Sequence, residues 1–196
     1  MKKKLFAIFG PIVFSFGLIA VLFTSSYRVN LSDPNILKKA ASSMSENVLK
    51  GDVIKNEALS KKQYVPFFGS SELSRISPFH PSVLAKKYHR GYQPFLLGAP
   101  GTQSLSQYMM MRSAGEQLKH KKVVFIISPQ WFVKEGVKED YFNTYYSQLQ
   151  TLDWLFSLKK ITPADRYLAR RLLSFSIVKK DQQLAEMLKK IKANQL

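Results

Sequence analysis

The longest apolar stretch in the chain comes first. Leu5 to Phe23 is 19 residues without a charged side chain, and Lys2, Lys3 and Lys4 precede it. As a helix it spans about 28 Å, close to the ~30 Å hydrocarbon core of a bilayer. Gly10, Pro11 and Gly17 interrupt it, but membrane helices tolerate such residues. Two readings compete, an uncleaved anchor and a cleaved signal peptide. The apolar region exceeds the ~7–15 residues of a signal peptide, and no A-x-A cleavage signal follows before Arg28, so the anchor is favoured. The lysines then stay inside, and residues from about Tyr27 onward face outward.

Beyond residue 62 the pattern changes to short apolar runs separated by helical segments. Tyr64–Phe68, Gln93–Leu97 and Lys122–Ile127 read as strands. Pro66 argues for a place at the start of its strand. The run VVFII has the continuous apolar character of a strand buried on both faces of a parallel sheet. Helices are expected from Pro34, capped by Asp33, through Ser43; near Val53–Leu59; over His80–Lys87; and over Gln103–Leu118. Further helices are expected over the aromatic-rich segment Tyr141–Ser157, from the capped start Thr162-Pro163 through Leu173, and over Asp181–Ile191. Strand–helix alternation predicts a parallel α/β sheet, with any active site beyond the carboxyl ends of the strands. The expected organisation is a cytoplasmic stub and anchor over 1–26, a juxtamembrane helical segment over 27–62, and an α/β domain with a helical C-terminal segment over 63–196.

Composition narrows the picture. There is no cysteine, which favours a bacterial, Gram-positive-like exterior over a disulfide-stabilised eukaryotic one. The formal charge of +17 favours polyanionic partners. Outside a membrane, anionic lipid headgroups or cell-wall polymers fit better than nucleic acid; the bland alternative is a role in solubility and orientation alone. There is no Walker A or dinucleotide fingerprint and no clustered His/Cys set at ligand spacing, so neither a cofactor nor a metal is expected.

The candidate chemistry lies where the first strand ends. Phe68-Gly69-Ser70-Ser71-Glu72 puts a serine on a tight turn, where Gly69 permits close backbone approach and the N–H groups opening the next helix can face an oxyanion. The same spacing also fits a serine that simply caps a helix, with Glu72 in its first turn.

Three blocks in order, YVPFFGSSELSRISPFHPSVLAKKY, PFLLGAPGTQSL and KKVVFIISPQWF, together with NVLKG at residues 47–51, strongly resemble the DltD family of D-alanyl transfer proteins of Gram-positive bacteria. The resemblance implies an SGNH-hydrolase-like (flavodoxin-like) parallel sheet with flanking helices. It implies a part in moving D-alanine onto lipoteichoic or teichoic acid outside the cell membrane, by serine acyl-transfer or thioesterase-like chemistry. The implied partners are a membrane-bound O-acyltransferase and a D-alanyl carrier protein. On the family pattern Ser71 is the nucleophile, with Gly69 and Ser70 its neighbours. Gly101 offers an oxyanion-hole N–H. Gln130 stands where the pattern usually has asparagine, and its amide is able to donate the same hydrogen bond.

One part of the pattern is missing. The family's Asp and His form a D-x-x-H motif, and no aspartate of this chain begins one. His80, His89 and His120 do not match it, and a serine nucleophile requires a base. The chain therefore reads as a truncated N-terminal portion of the family protein, inactive alone, whose sheet is expected to expose an edge. The alternative is a non-catalytic anchored module that binds anionic polymer or the acyltransferase.

Overall fold

The computed structural model describes residues 2–24 and 30–195, with side chains from Phe9 onward. The chain divides into two compact units, residues 1–31 and 32–196. In the first, Lys2–Thr24 forms helix α1, which contains Pro11. The hydroxyl of Ser15 donates to the Pro11 carbonyl at 2.8 Å. Among the described residues no helix is long and apolar enough to cross a membrane.

The second unit is an α/β structure. Its elements are α2 (Pro34–Ser43), α3 (Glu46–Lys50), α4 (Val53–Ser60), β1 (Tyr64–Phe68), α5 (Pro81–Lys87), β2 (Gln93–Leu97), α6 (Ser104–Ser113), α7 (Gly115–Leu118) and β3 (Val124–Phe125). The helices α8 (Glu139–Tyr145), α9 (Gln148–Ser157), α10 (Pro163–Leu172), α11 (Ser176–Lys179) and α12 (Gln182–Lys192) follow. The three strands are parallel in the order β2-β1-β3. Two caps act as the sequence predicts: Asp33 accepts from the Asn35 N–H at 2.7 Å, and Thr162 and Asp165 form a capping box; Asp181, not foreseen as a cap, also accepts from the Leu184 N–H at 3.0 Å.

One face of the sheet packs on α2, α3 and α4, where Leu37, Ala41, Leu49 and Leu59 meet Tyr64, Phe68, Phe95 and Leu97. On the other face Phe67 and Leu96 meet Leu73. The C-terminal helices close around a second core of Trp154, Leu168, Leu172, Phe175, Val178 and Leu188. The Phe142 and Phe175 rings stack there at 3.8 Å.

The sheet departs from expectation at three points. Pro66 lies mid-strand in the central strand, opposite Phe95. The Ile126 N–H reaches the Phe68 carbonyl at 2.8 Å, so the even-numbered residues of β1 face β3, and pairing with β3 begins only at Phe67. The missing N–H of Pro66 thus falls below the start of that ladder. Lower still, Lys121 Nζ donates to the carbonyls of Lys61 and Tyr64 at 2.7 and 3.0 Å, in place of a strand. For the same reason the predicted strand Lys122–Ile127 contracts to two residues. It is not buried on both faces: Val123, Val124, Phe125 and Ile127 are all exposed.

Two predicted long helices are broken. Gln103–Leu118 divides around Ala114-Gly115, where glycine is a poor helix former. Tyr141–Ser157 divides at Tyr146-Ser147, and the Ser147 hydroxyl accepts from the Gln150 N–H at 3.3 Å to start α9.

Candidate functional site at the strand exits

The carboxyl ends of β1 and β2 are locked together through backbone. Gly69 extends the ladder, its N–H 3.4 Å from the Leu97 carbonyl. A Cβ on Gly98 would lie 2.1 Å from the Gly69 oxygen, so the two loops touch where only glycine fits. A Cβ on Gly69 would in turn meet Glu72 Oε1 and the Leu73 side chain. Two buried side chains hold the Gly69 carbonyl, Gln107 Nε2 at 2.8 Å and Thr102 Oγ1 at 2.7 Å. Thr102 Oγ1 also lies 2.8 Å from the Ala99 carbonyl and accepts from the Ala99 N–H at 3.1 Å.

Ser70 is buried, with its hydroxyl 3.4 Å from the Ala99 carbonyl and its N–H donating to the Glu72 carboxylate. Ser71 follows at the head of a 3-10 turn, Ser71–Ser74, and is half-buried. Its hydroxyl has no hydrogen-bond partner among the described residues. The helix-cap reading of the Gly-Ser-Ser-Glu run does not hold: neither serine caps a helix through its side chain, and Glu72 itself satisfies the Ser70 N–H. A four-residue 3-10 turn stands where a helix was expected, so any oxyanion stabilisation falls to individual N–H groups rather than to a helix dipole.

Gly101 lies in the β2 exit loop at φ +95°, with the Tyr141 ring against it; a Cβ would sit 2.7 Å from that ring. Gln130 is in the 3-10 turn Pro129–Trp131 beyond β3 and is exposed. The parallel register brings Ser71, Gly101 and Gln130 to one end of the sheet. The Gly69 and Gly101 loops are bonded to one another, whereas no hydrogen bond joins Gln130 to either among the described residues. Behind Trp131, a mainly apolar cavity of about 320 Å³ opens between α6, the Gly136-Val137 turn and α10.

Among the described residues no base is hydrogen-bonded to the Ser71 hydroxyl. His80 is buried and both its ring nitrogens are engaged: Nε2 is 3.0 Å from the Leu73 carbonyl, and Nδ1 accepts from the Ser82 N–H at 3.2 Å. It ties the 3-10 turn to α5. His89 and His120 are exposed in left-handed turns at φ 45° and 59°. Among the described residues no group of three or more His, Cys, Asp or Glu is placed to hold a metal ion. Thr102 and Gln107 are the site residues that sequence reasoning missed. Their signal was weak: a threonine following a turn glycine, and a glutamine at a helix position that packs inward.

These features define an α/β protein whose candidate site lies in the loops leaving a three-stranded parallel sheet. The particular family follows from comparison: a family model described as DltD protein matches residues 41–196, and the chain belongs to that family. It is 46% identical over 186 residues to Protein DltD of Lacticaseibacillus rhamnosus, covering 95% of this chain and 44% of the relative. Against Protein DltD of Bacillus subtilis (strain 168) the identity is 36% over 191 residues, covering 96% and 48%. Against that of Staphylococcus aureus (strain NCTC 8325 / PS 47) it is 34% over 187 residues, covering 94% and 47%. The chain thus spans a little under half the length of these curated relatives.

Proposed function

We propose that this polypeptide carries the nucleophile-bearing half of a serine acyl-transfer site that acts in D-alanylation of lipoteichoic or teichoic acid at the outer face of the cell membrane. The observation that carries the reading is the clamp on the Gly69 carbonyl. It fixes the β1 exit so that Ser71 emerges with a free, accessible hydroxyl beside the Gly101 loop. Ser71 Oγ attacks the carbonyl carbon of an activated D-alanyl group and its proton passes to a base. The leaving group departs with a proton, and a hydroxyl of the polymer then takes the D-alanyl group from the serine ester. The Gly101 N–H and the Gln130 amide face the developing oxyanion. The Asp and His of such a site lie in the part of the relatives that this chain does not match, and an SGNH-hydrolase-like sheet is completed by that part.

The same reading makes α1 the membrane anchor. Its apolar side chains from Phe9 to Phe23 are exposed on every side, which water does not favour. The domain limits that go with this are the anchor over 1–26, a link over 27–62 and the site-bearing region over 63–196. The working partners are a membrane-bound O-acyltransferase, a D-alanyl carrier protein and the polymer.

A second reading applies to this polypeptide alone. With both nitrogens of His80 engaged, it is a non-catalytic anchored module that binds polymer or acyltransferase. A fluorophosphonate probe separates the two. The full-length relative from L. rhamnosus is expected to label at the serine aligned with Ser71 and to lose labelling when that serine becomes alanine, while this chain stays unlabelled. Cell-envelope D-alanylation that survives the alanine substitution overturns the acyl-transfer reading.

A further inference from the structure

The positive charge is not spread evenly over the sheet; it collects at the end opposite Ser71. In a parallel sheet all strands are entered at the same end, and here each entry is basic: residues 61–62 before β1, 86–90 before β2 and 119–122 before β3. These segments hold eight Lys and Arg residues and no carboxylate. The loops that leave the strands, residues 69–80, 98–103 and 128–140, hold three cations against four carboxylates.

At the basic end two ammonium groups are paired, Lys61 with Glu57 and Lys119 with Glu116, both at 2.8 Å. Lys62, Lys86 and Lys122 are exposed and have no carboxylate partner among the described residues. Two basic recesses flank the entry to β1. One, of about 630 Å³, has Lys62, His120 and Lys122 in its wall. The other, of about 550 Å³, has Lys86, His89 and Arg90. Tyr88 and Tyr92 are exposed at the same end, side chains suited to a water–lipid boundary.

The chain also enters the folded unit at this end. The Ser32 hydroxyl donates to Glu57 Oε1, the carboxylate oxygen that holds Lys61. Ser32 follows the last residue of α1, Thr24, by eight positions in the sequence.

We propose that the strand-entry end is a docking face for anionic phospholipid headgroups, which seats the sheet upright on the bilayer with the Ser71 end turned away. Charge complementarity selects an anionic surface, and the short tether selects the bilayer rather than a distant polymer. The orientation rests on the reading of α1 as an anchor, but not on acyl transfer.

The chain has no cysteine, so His120→Cys and Ser77→Cys each give a single labelling site, one at either end of the sheet. The full chain is reconstituted into phosphatidylcholine vesicles with and without 30 mol% phosphatidylglycerol, and energy transfer from the label to a headgroup-labelled lipid is read. The expected result with phosphatidylglycerol is transfer from position 120 at least about twofold that from position 77, falling in 0.5 M salt. Combining Lys62→Glu, Lys86→Glu and Lys122→Glu should abolish the difference while thermal unfolding stays unchanged. Equal transfer from both positions, or transfer indifferent to phosphatidylglycerol, overturns the proposal. So does a response in phosphatidylcholine vesicles to soluble poly(glycerol phosphate) alone. Flotation with pure phosphatidylcholine vesicles reads the anchor by itself. If the chain does not float with them, phosphatidylglycerol-dependent flotation, lost in the triple variant, becomes the readout. Fluorophosphonate labelling of the full-length relative reports independently on the chemistry.

Discussion

Gly98 and Gly69 meet through main-chain atoms, and no side chain can be placed between them. Alanine at 98 would put its Cβ 2.1 Å from the Gly69 oxygen, against backbone that Thr102 and Gln107 already hold. Gly98→Ala is therefore expected to destabilise by at least about 3 kcal/mol, the upper end of overpacking costs, measured by urea denaturation. Gly115→Ala is the control: open space surrounds that position, and the change should be neutral or stabilising by up to about 1 kcal/mol. At this scale the sequence was partly readable. The run Phe68-Gly69-Ser70-Ser71 announced a tight exit from a strand because glycine and serine follow β-formers there. That Ser70 is inward and Ser71 accessible was not visible, since it depends on a carbonyl 29 residues away that the Ser70 hydroxyl faces. The second and third block residues, Gly101 and Gln130, were readable only through resemblance. Of the two, only Gly101 carries a local physical requirement, its positive φ.

Elements are joined by a buried charge that no pattern in the sequence revealed. Lys55 on α4 has no exposed surface, and its Nζ contacts Asp52 Oδ1 at 2.7 Å and Ser113 Oγ at 2.8 Å at the end of α6. Burial lowers its pKa below that of an ordinary lysine, against the opposing pull of Asp52 and Asp153. The ammonium is the fully buried partner, whereas Asp52 keeps 17% of its side chain exposed, so losing the counter-charge is worse than losing the lysine. Asp52→Asn should cost about 3 kcal/mol, whereas Lys55→Met, which fills the same space without a charge, should cost less than about 1.5 kcal/mol; thermal unfolding of both variants ranks them. Position 55 sits in a mixed polar segment, where lysine ordinarily reads as solvent-facing. The strands were read from their apolar runs with close to their true bounds for β1 and β2. The length of β3 was not, because apolar content cannot show that Lys121 takes the place of its first residues.

For the whole molecule, one contribution to acid stability comes from the helical C-terminal core. Asp165 is buried where α9 and α10 meet, accepting from the Trp154 indole at 3.1 Å and the Thr162 N–H at 2.9 Å. Burial alone would raise its carboxyl, but the hydrogen bonds from Thr162 and Trp154, with the nearby charge of Arg112, bring it below the usual aspartate value. The sign follows from which state holds the proton more tightly. The unfolded chain protonates first, so the contribution is complete above the unfolded value near 3.9 and disappears as pH falls through the lower folded one. Asp165→Asn should flatten the acid limb of a stability–pH curve and cost about 1–2 kcal/mol at neutral pH through the capping box, followed by denaturation from pH 7 to 2. The fold class was legible at this scale, because strand–helix alternation leaves few topologies. The exposure of the β3 side chains was not legible, since the VVFII pattern pointed the other way.

The strand order has a consequence during synthesis. β1 is made first but lies in the middle, with β2 on one flank and β3 on the other. Phe67 waits 29 residues for its partner Leu96 and 57 for Val124. At about 5–20 residues per second, one flank of the nascent strand stays bare for several seconds after the other has closed. In that interval Phe67 and Phe68 offer a template to any neighbouring nascent chain. Slowed translation across residues 98–123 should therefore raise co-translational aggregation, and a holdase that shields this flank should suppress it.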